Sequence, residues 1–128
     1  MNKDFFKTTK ILDGGMGQEL LARGMKPKGT LWSANALVDE KYHNLILNIH
    51  NDFIKSGADV IVTTTFTTRR KRLKENGLED QFKYLNEKAC EIAQKAKSNN
   101  PNVKIAGGLP PQNLTYEEDK RSEEDIVK

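Results

Sequence analysis

The chain has 128 residues, of which 36% are hydrophobic and 30% are charged, and its formal net charge is +3 at pH 7. This length predicts one domain over 1–128 and excludes a complete barrel of eight β/α units, which normally needs about 250 residues. The charge excess is too small to indicate nucleic acid, and the apolar runs are too short for a signal peptide or a membrane helix. The single cysteine excludes an intramolecular disulfide, and we expect a cytoplasmic protein.

The first third of the chain predicts one short strand and two helices. The apolar pair at 11–12 predicts a strand that ends in the glycine-rich turn 13–17. Helical composition follows over 18–23. A longer helix is predicted over 41–56 because apolar residues recur there every three or four positions, and Asp39 is placed to cap its first turn. The glycines expected to terminate helices are Gly24, Gly57 and Gly77.

The middle of the chain alternates between strand and helix patterns. Strands are predicted over 60–66, which is β-branched almost throughout, and over 103–106. Helices are predicted over 69–76 and over 79–97, the latter with a clear apolar stripe. A strand, helix, strand, helix, strand order indicates right-handed crossovers and a parallel sheet. The predicted fold class is therefore α/β.

The end of the chain continues this alternation. A polar loop is predicted over 112–121, and Ser122 is expected to begin another helix. About three parallel β/α units are then present, which corresponds to part of a (β/α)₈ barrel.

The residues at the ends of the predicted strands are the first candidates for a functional site, because parallel β/α folds bind ligands there. Asp13 follows the first strand, and the adjacent Gly14 and Gly15 leave space for a substrate ammonium group. Asp-Gly also forms ordinary turns, so position alone leaves both interpretations open. The glycines lack the spacing of a dinucleotide-binding loop, which argues against nicotinamide or flavin.

The only tryptophan, Trp32, lies in a predicted loop rather than on a helical stripe. Its face could bind a cationic or sulfonium methyl donor, or the ring could simply plug the base of the loop. His43 and His50 are seven residues apart on one helix, which is not a metal-binding spacing, and we expect both on the surface. Cys90 is expected to pack in the core, and the basic run 69–72 to be a solvated face rather than a phosphate site.

Taken together, the motifs resemble the homocysteine S-methyltransferase family, which includes betaine-, S-methylmethionine- and folate-dependent enzymes. The resemblance covers roughly residues 9 to 116 and rests on the order and spacing of five segments. These segments are 13–20, 31–34, 56–61, 63–66 and 107–111. The resemblance implies the N-terminal portion of a (β/α)₈ barrel that transfers a methyl group to the sulfur of homocysteine. The family's usual Thr-Asn-Thr at the second strand is replaced here by three threonines at 63–65.

The same resemblance implies roles for individual residues. Asp13 matches the aspartate that holds the amino-acid moiety of homocysteine, and Thr65 and Phe66 match residues that line the same pocket. Trp32 matches the tryptophan that contacts the methyl donor in the betaine enzyme. The substrate-binding set predicted from the sequence is Asp13, Gly14, Gly15, Trp32, Thr65 and Phe66.

The family's zinc ion, which keeps the substrate thiol as a thiolate, is held by cysteines from later strands. Because this chain has only Cys90, we expect it to hold no zinc, to contain no catalytic residue and to be inactive alone. The complete enzyme would act on homocysteine and a small methyl donor. The alternative is a partial barrel that serves as a binding or self-assembly module, and exposed sheet edges predict a homo-oligomer in either case.

Overall fold

The computed structural model describes residues 2–111, so the loop predicted over 112–121 and the helix start at Ser122 lie outside the described residues. The described part contains two strands, β1 (Val60–Val62) and β2 (Lys104–Ala106). Its α-helices are α1 (Met16–Ala22), α2 (Asn35–Val38), α3 (His43–Lys55), α4 (Arg70–Glu75) and α5 (Phe82–Ser98). Its 3₁₀ helices are Lys3–Lys7, Trp32–Ala34, Glu40–Tyr42 and Glu79–Gln81.

The two strands form a parallel sheet in which Ile61 is opposite Ile105. Leu12 pairs with Val60 in an isolated parallel bridge on the other side of β1. The backbone N–H of Asp13 donates to the carbonyl of Val60 at 3.0 Å, which extends this contact by one residue. The predicted α/β class and parallel pairing are therefore confirmed, although the first predicted strand is reduced to a single bridge.

The core lies between the helices and one side of the sheet. The apolar stripes of α3 and α5 pack together, and α3 also contacts α1 and β1. The main cluster contains side chains that are fully shielded from solvent, and a smaller cluster lies beneath β1 and the end of α5. The largest fully buried side chains of the main cluster include Leu20, Leu31, Leu37, Ile46, Ile49, Leu73 and Leu85.

The strand predicted over 60–66 is wrong in length, because β1 ends at Val62. Thr63 still donates its N–H to the carbonyl of Ala106 at 2.9 Å, but the chain then turns. The N–H of Thr65 bonds the carbonyl of Thr63 at 2.7 Å, and the two hydroxyl groups lie 2.9 Å apart. Threonine side chains and backbone bond locally here, in competition with the sheet ladder.

The predicted helices occur near their expected positions, with shifted ends. Asp39 caps the short 3₁₀ helix before α3 rather than α3 itself, since its carboxylate accepts the N–H of Lys41 at 3.3 Å. The helix α2 was not predicted, because four residues are too few to show a helical period. The expected terminating glycines adopt positive φ angles, at +96° for Gly24, +111° for Gly57 and +70° for Gly77.

Two predictions about burial are wrong. His50 is completely buried on the inner side of α3, where the apolar stripe carries it into the core. Cys90 is exposed, because it lies one position beyond the buried Ala89 on α5 and therefore points away from the stripe. His43 is half-buried, and its Nε2 lies 2.8 Å from the carbonyl of Leu37.

The basic run 69–72 is only partly solvated. Arg70 and Lys71 are exposed, whereas Arg69 and Arg72 are half-buried. Between residues 2 and 111, none of the helices has the length and apolar character needed to cross a membrane.

Candidate functional site

A cavity of about 240 Å³ opens where the first bridge and β1 end, next to the start of α1. We call it the Asp13 cavity. Its walls come from the glycine-rich turn, the 3₁₀ helix at Trp32 and the turn after β1. It is lined by Asp13, Gly14, Gly15, Met16, Gly17, Trp32, Ser33, Val62, Thr63, Thr64 and Phe66. The fold thus brings five of the six predicted site residues together, although they are separated by up to 53 positions in the chain.

Asp13 is fixed at the edge of the sheet by two backbone hydrogen bonds. Its own N–H donates to Val60, and its Oδ2 accepts the N–H of Val62 at 2.8 Å. Burial raises the pKa of the Asp13 carboxyl, and the Val62 N–H and its own N–H partly oppose this by stabilising the carboxylate. Asp13 is the only ionisable side chain among the described lining residues. A partly desolvated carboxylate without a neighbouring basic side chain is suited to a cationic ligand group.

Trp32 and Phe66 give the cavity two aromatic surfaces, since both side chains remain largely exposed. Trp32 has a φ of +51°, the only positive φ of a non-glycine residue in the described chain. The residues after it are anchored to Thr67: its Oγ1 accepts the N–H of Ala34 at 2.9 Å and lies 3.1 Å from Oγ of Ser33. The segment that follows Trp32 is therefore tied by hydrogen bonds to the turn after β1.

The two predicted glycines have different surroundings. A Cβ built on Gly14 would lie 2.8 Å from Cε1 of Phe53, so this glycine allows the turn to approach α3. A Cβ on Gly15 would meet only the side chain of Gln18, at 3.6 Å, which is an ordinary contact. Gly15 occupies the position before α1. The structure gives Gly14 a packing role and leaves space at Gly15.

Thr65 is the one predicted site residue that lies outside the Asp13 cavity. It lines a neighbouring cavity of about 400 Å³. The other lining residues there are Thr68, Arg69, Arg70, Phe82, Asn86, Gly108, Leu109 and Pro110. The guanidinium of Arg70 stacks on the ring of Phe82 at 4.2 Å, and Arg69 donates to the carbonyl of Pro111. Thr65 contacts the cavity-lining Thr63 through its hydroxyl group and through its backbone N–H, which donates to the Thr63 carbonyl.

Six further residues line the Asp13 cavity and were not predicted from the sequence: Met16, Gly17, Ser33, Val62, Thr63 and Thr64. Thr63 and Thr64 stood inside the motif that pointed to the site, so their inclusion could have been inferred from the strand end. Gly17 and Ser33 also stood inside such segments, 13–20 and 31–34, but their place in the cavity wall depends on how the 3₁₀ helix at Trp32 packs on α1.

The residues described do not fit a zinc site. Within 2–111, no three side chains of His, Cys, Asp or Glu converge in a way that could hold a metal ion. Cys90, which could supply a thiolate, is exposed on α5 and does not line the Asp13 cavity.

Residues 10–128 match the family model described as homocysteine S-methyltransferase. The chain belongs to this family. It is 34% identical over 109 residues to the homocysteine S-methyltransferase of Escherichia coli, a match that covers 79% of this chain and 34% of the relative. It is 33% identical over 78 residues to homocysteine S-methyltransferase 2 of Saccharomyces cerevisiae, covering 55% of this chain and 24% of that one.

The fold agrees with this family assignment. The metallated form of the homocysteine methyltransferase MmuM from Escherichia coli matches with a TM-score of 0.71 at 32% identity, over 84% of this chain and 40% of that one. The chain therefore spans between about a quarter and two fifths of the length of these homocysteine S-methyltransferases.

Proposed function

We propose that this chain is the substrate-binding part of an enzyme that transfers a methyl group from a small donor to the thiol of homocysteine. The observation that carries the proposal is the Asp13 cavity, in which one carboxylate and two aromatic side chains, Trp32 and Phe66, line the same space. Family membership makes homocysteine the expected substrate. The arrangement of side chains in the Asp13 cavity supports the binding mode that we propose for it.

In this proposal the ammonium group of homocysteine binds the carboxylate of Asp13. Val62 fixes the carboxylate through Oδ2, and the open space at Gly15 lets the ammonium approach. A charge-assisted hydrogen bond of this kind contributes about 1.5–3 kcal/mol, more than a neutral one, because the ammonium donor and the carboxylate acceptor carry opposite charges.

The methyl donor would lie on the aromatic side of the cavity. The faces of Trp32 and Phe66 attract a positively charged sulfonium or quaternary ammonium group. The thiol of homocysteine first loses its proton to solvent. The thiolate sulfur then attacks the methyl carbon, and the bond from that carbon to the donor breaks with its electron pair leaving on the donor. The chain's contribution is to bring the two reactants together in one cavity, which removes much of the entropic cost of their encounter.

Thr65 has an indirect place in this arrangement. Its hydroxyl lies 2.9 Å from that of Thr63, which lines the cavity, so Thr65 would orient Thr63 rather than touch the substrate. Gly14 would act by letting the turn pack on Phe53.

We further propose that residues 1–128 form one domain and contribute about three units of a (β/α)₈ barrel. The parallel order of Leu12, β1 and β2 supports this arrangement. The zinc expected in the complete enzyme would be held outside the described residues, since these do not form a metal site. On this proposal the 128-residue chain has no methyltransferase activity by itself.

The experiment is a methyl-transfer assay on a protein of the relatives' full length that begins with these 128 residues. Methionine formation from homocysteine should be measured separately with S-methylmethionine, betaine and a methylfolate. A Trp32→Ala variant should lower the rate with a cationic donor, whereas Tyr84→Ala, an exposed aromatic on α5, serves as the matched control. Absence of methionine with every donor would contradict the proposal.

A second candidate function is self-association. Phe6, Ile11 and Leu12 are all more than half exposed, and Leu12 forms the first bridge of the sheet. We propose that this apolar surface and the unpaired sheet edges draw two or more copies together. Sedimentation of the 128-residue chain should then show a dimer or larger species at micromolar concentration. A compact monomer would contradict this second proposal without affecting the first.

A further inference from the structure

Gly17 lies close against the indole of Trp32. A Cβ built on Gly17 would be 2.2 Å from Nε1 of Trp32, 2.7 Å from Cε2 and 3.1 Å from Cδ1. These are the three nearest atoms, and all belong to the same indole. Ordinary contact begins at 3.4 Å, so an alanine here would require the ring or the helix to move by about 1.2 Å.

The ring is the part that would move. Gly17 is buried in the first turn of α1, and Leu20 anchors this helix in the core with no exposed surface. The Trp32 side chain, by contrast, is 41% exposed. Its backbone also has a φ of +51°, a conformation that a residue with a Cβ adopts only when its surroundings hold it there.

We propose that Gly17 is the positioning residue for the Trp32 indole: because it has no Cβ, the ring can lie against the first turn of α1 and form one wall of the Asp13 cavity. The ring position sets the space between the indole and the other walls, and hence the size of donor that the cavity accepts. This consequence for the donor rests on the proposed function. The position of the ring itself does not.

The test uses the fluorescence of the 128-residue chain, in which Trp32 is the only tryptophan. Gly17→Ala should shift the emission maximum, change the acrylamide quenching constant and shift the indole N–H resonance in a ¹H–¹⁵N spectrum. Gly15→Ala is the matched control, because it makes the same substitution two residues away, where the new Cβ meets only Gln18. The control should leave all three signals close to wild type.

Thermal unfolding, followed by circular dichroism, separates ring positioning from a general effect on the helix. Gly17→Ala should lower the midpoint when Trp32 is present. In a Trp32→Ala background the same substitution should raise the midpoint, because the clash is gone and alanine favours helix over glycine. If Gly17→Ala fails to fold but the double variant folds, the inference is supported.

Three results would overturn the inference. The first is wild-type fluorescence and quenching in Gly17→Ala, and the second is an equal spectral change in Gly15→Ala. The third is a loss of stability in Gly17→Ala, or a failure to fold, that persists in the Trp32→Ala background. If the methyl-transfer assay fails but Gly17→Ala and Gly15→Ala give the spectra expected above, the result counts against the proposed function alone.

Discussion

Similar apolar side chains are buried to very different extents in the helical layer and at the first bridge of the sheet. On the helical side, Leu37 and Leu85 are completely buried between helices. At the first bridge, Leu12 and its neighbour Ile11 are about 60% exposed. The stability of the described part therefore resides in the helical layer. The strand ends are held by backbone hydrogen bonds instead, which leaves space beside them for a ligand.

The largest expected effect comes from truncating leucines in both regions. Leu37→Ala should lower the free energy of unfolding by about 2–5 kcal/mol, because it removes buried contacts and leaves a cavity in the helical layer. Leu12→Ala, the same substitution in an exposed setting, should cost about 0.5 kcal/mol or less. Urea denaturation measures both values. Equal losses would show that the sheet side is as well packed as the helical side.

The buried histidine gives the helical layer a dependence on pH. Neither ring nitrogen of His50 has a hydrogen-bond partner in the described structure, and burial lowers its pKa from 6.5 to about 4. Between about pH 6.5 and pH 4, His50 takes up a proton in the unfolded chain but stays neutral in the folded chain. Its contribution to stability is therefore complete above pH 6.5 and lost progressively as the pH falls to about 4.

The size of this effect follows from linkage. A pKa shift of this size lowers the free energy of unfolding by at most about 3 kcal/mol on acidification, since each pKa unit corresponds to about 1.4 kcal/mol. Denaturation should be compared at pH 7 and pH 4.5 in the wild type and in His50→Leu. The variant should lose less stability on acidification. Identical losses in the two proteins would mean that His50 is not neutral in the core.

A smaller effect is expected at the cavity wall. Because Trp32 has a φ of +51°, Trp32→Gly should be more stable than Trp32→Ala by about 1 kcal/mol, although glycine is usually the less stabilising residue. Both variants lose the ring, so the comparison isolates the backbone. Chemical denaturation of the two variants side by side would show the order. A more stable Trp32→Ala would indicate that the backbone is not left-handed.

The smallest effect on folding is expected at Asp13. Burial raises its pKa, so any stability gained from the protonated form is present at low pH and is lost as the pH rises through the folded pKa. At pH 7 the ionised carboxyl group therefore adds nothing to the stability of the fold. An Asn side chain can still accept the hydrogen bond from the N–H of Val62. Asp13→Asn should change the free energy of unfolding by less than about 1 kcal/mol in denaturant titrations. A larger loss would make Asp13 a structural residue.

The sequence was sufficient for some features and not for others. The helices α3 and α5 could be predicted because their apolar stripes repeat with the helical period, and the end of the first predicted strand could be located from Asp13 and the glycines after it. The early end of β1 could not, since it depends on hydrogen bonds within the Thr63–Thr65 turn. The burial of His50 depends on which way α3 faces, and the Gly17–Trp32 contact joins two elements whose packing no local pattern reveals.

The central claim is that Asp13 binds the ammonium group of homocysteine. It is tested most directly by calorimetric titration of homocysteine into a protein of the relatives' full length that contains these 128 residues, and into its Asp13→Asn variant. Asn keeps the shape and the Val62 hydrogen bond but removes the charge, so the account predicts a loss of about tenfold to a hundredfold in affinity with the fold intact. Equal affinities in the two proteins would contradict it, because a residue that only forms the turn is replaced by Asn without consequence.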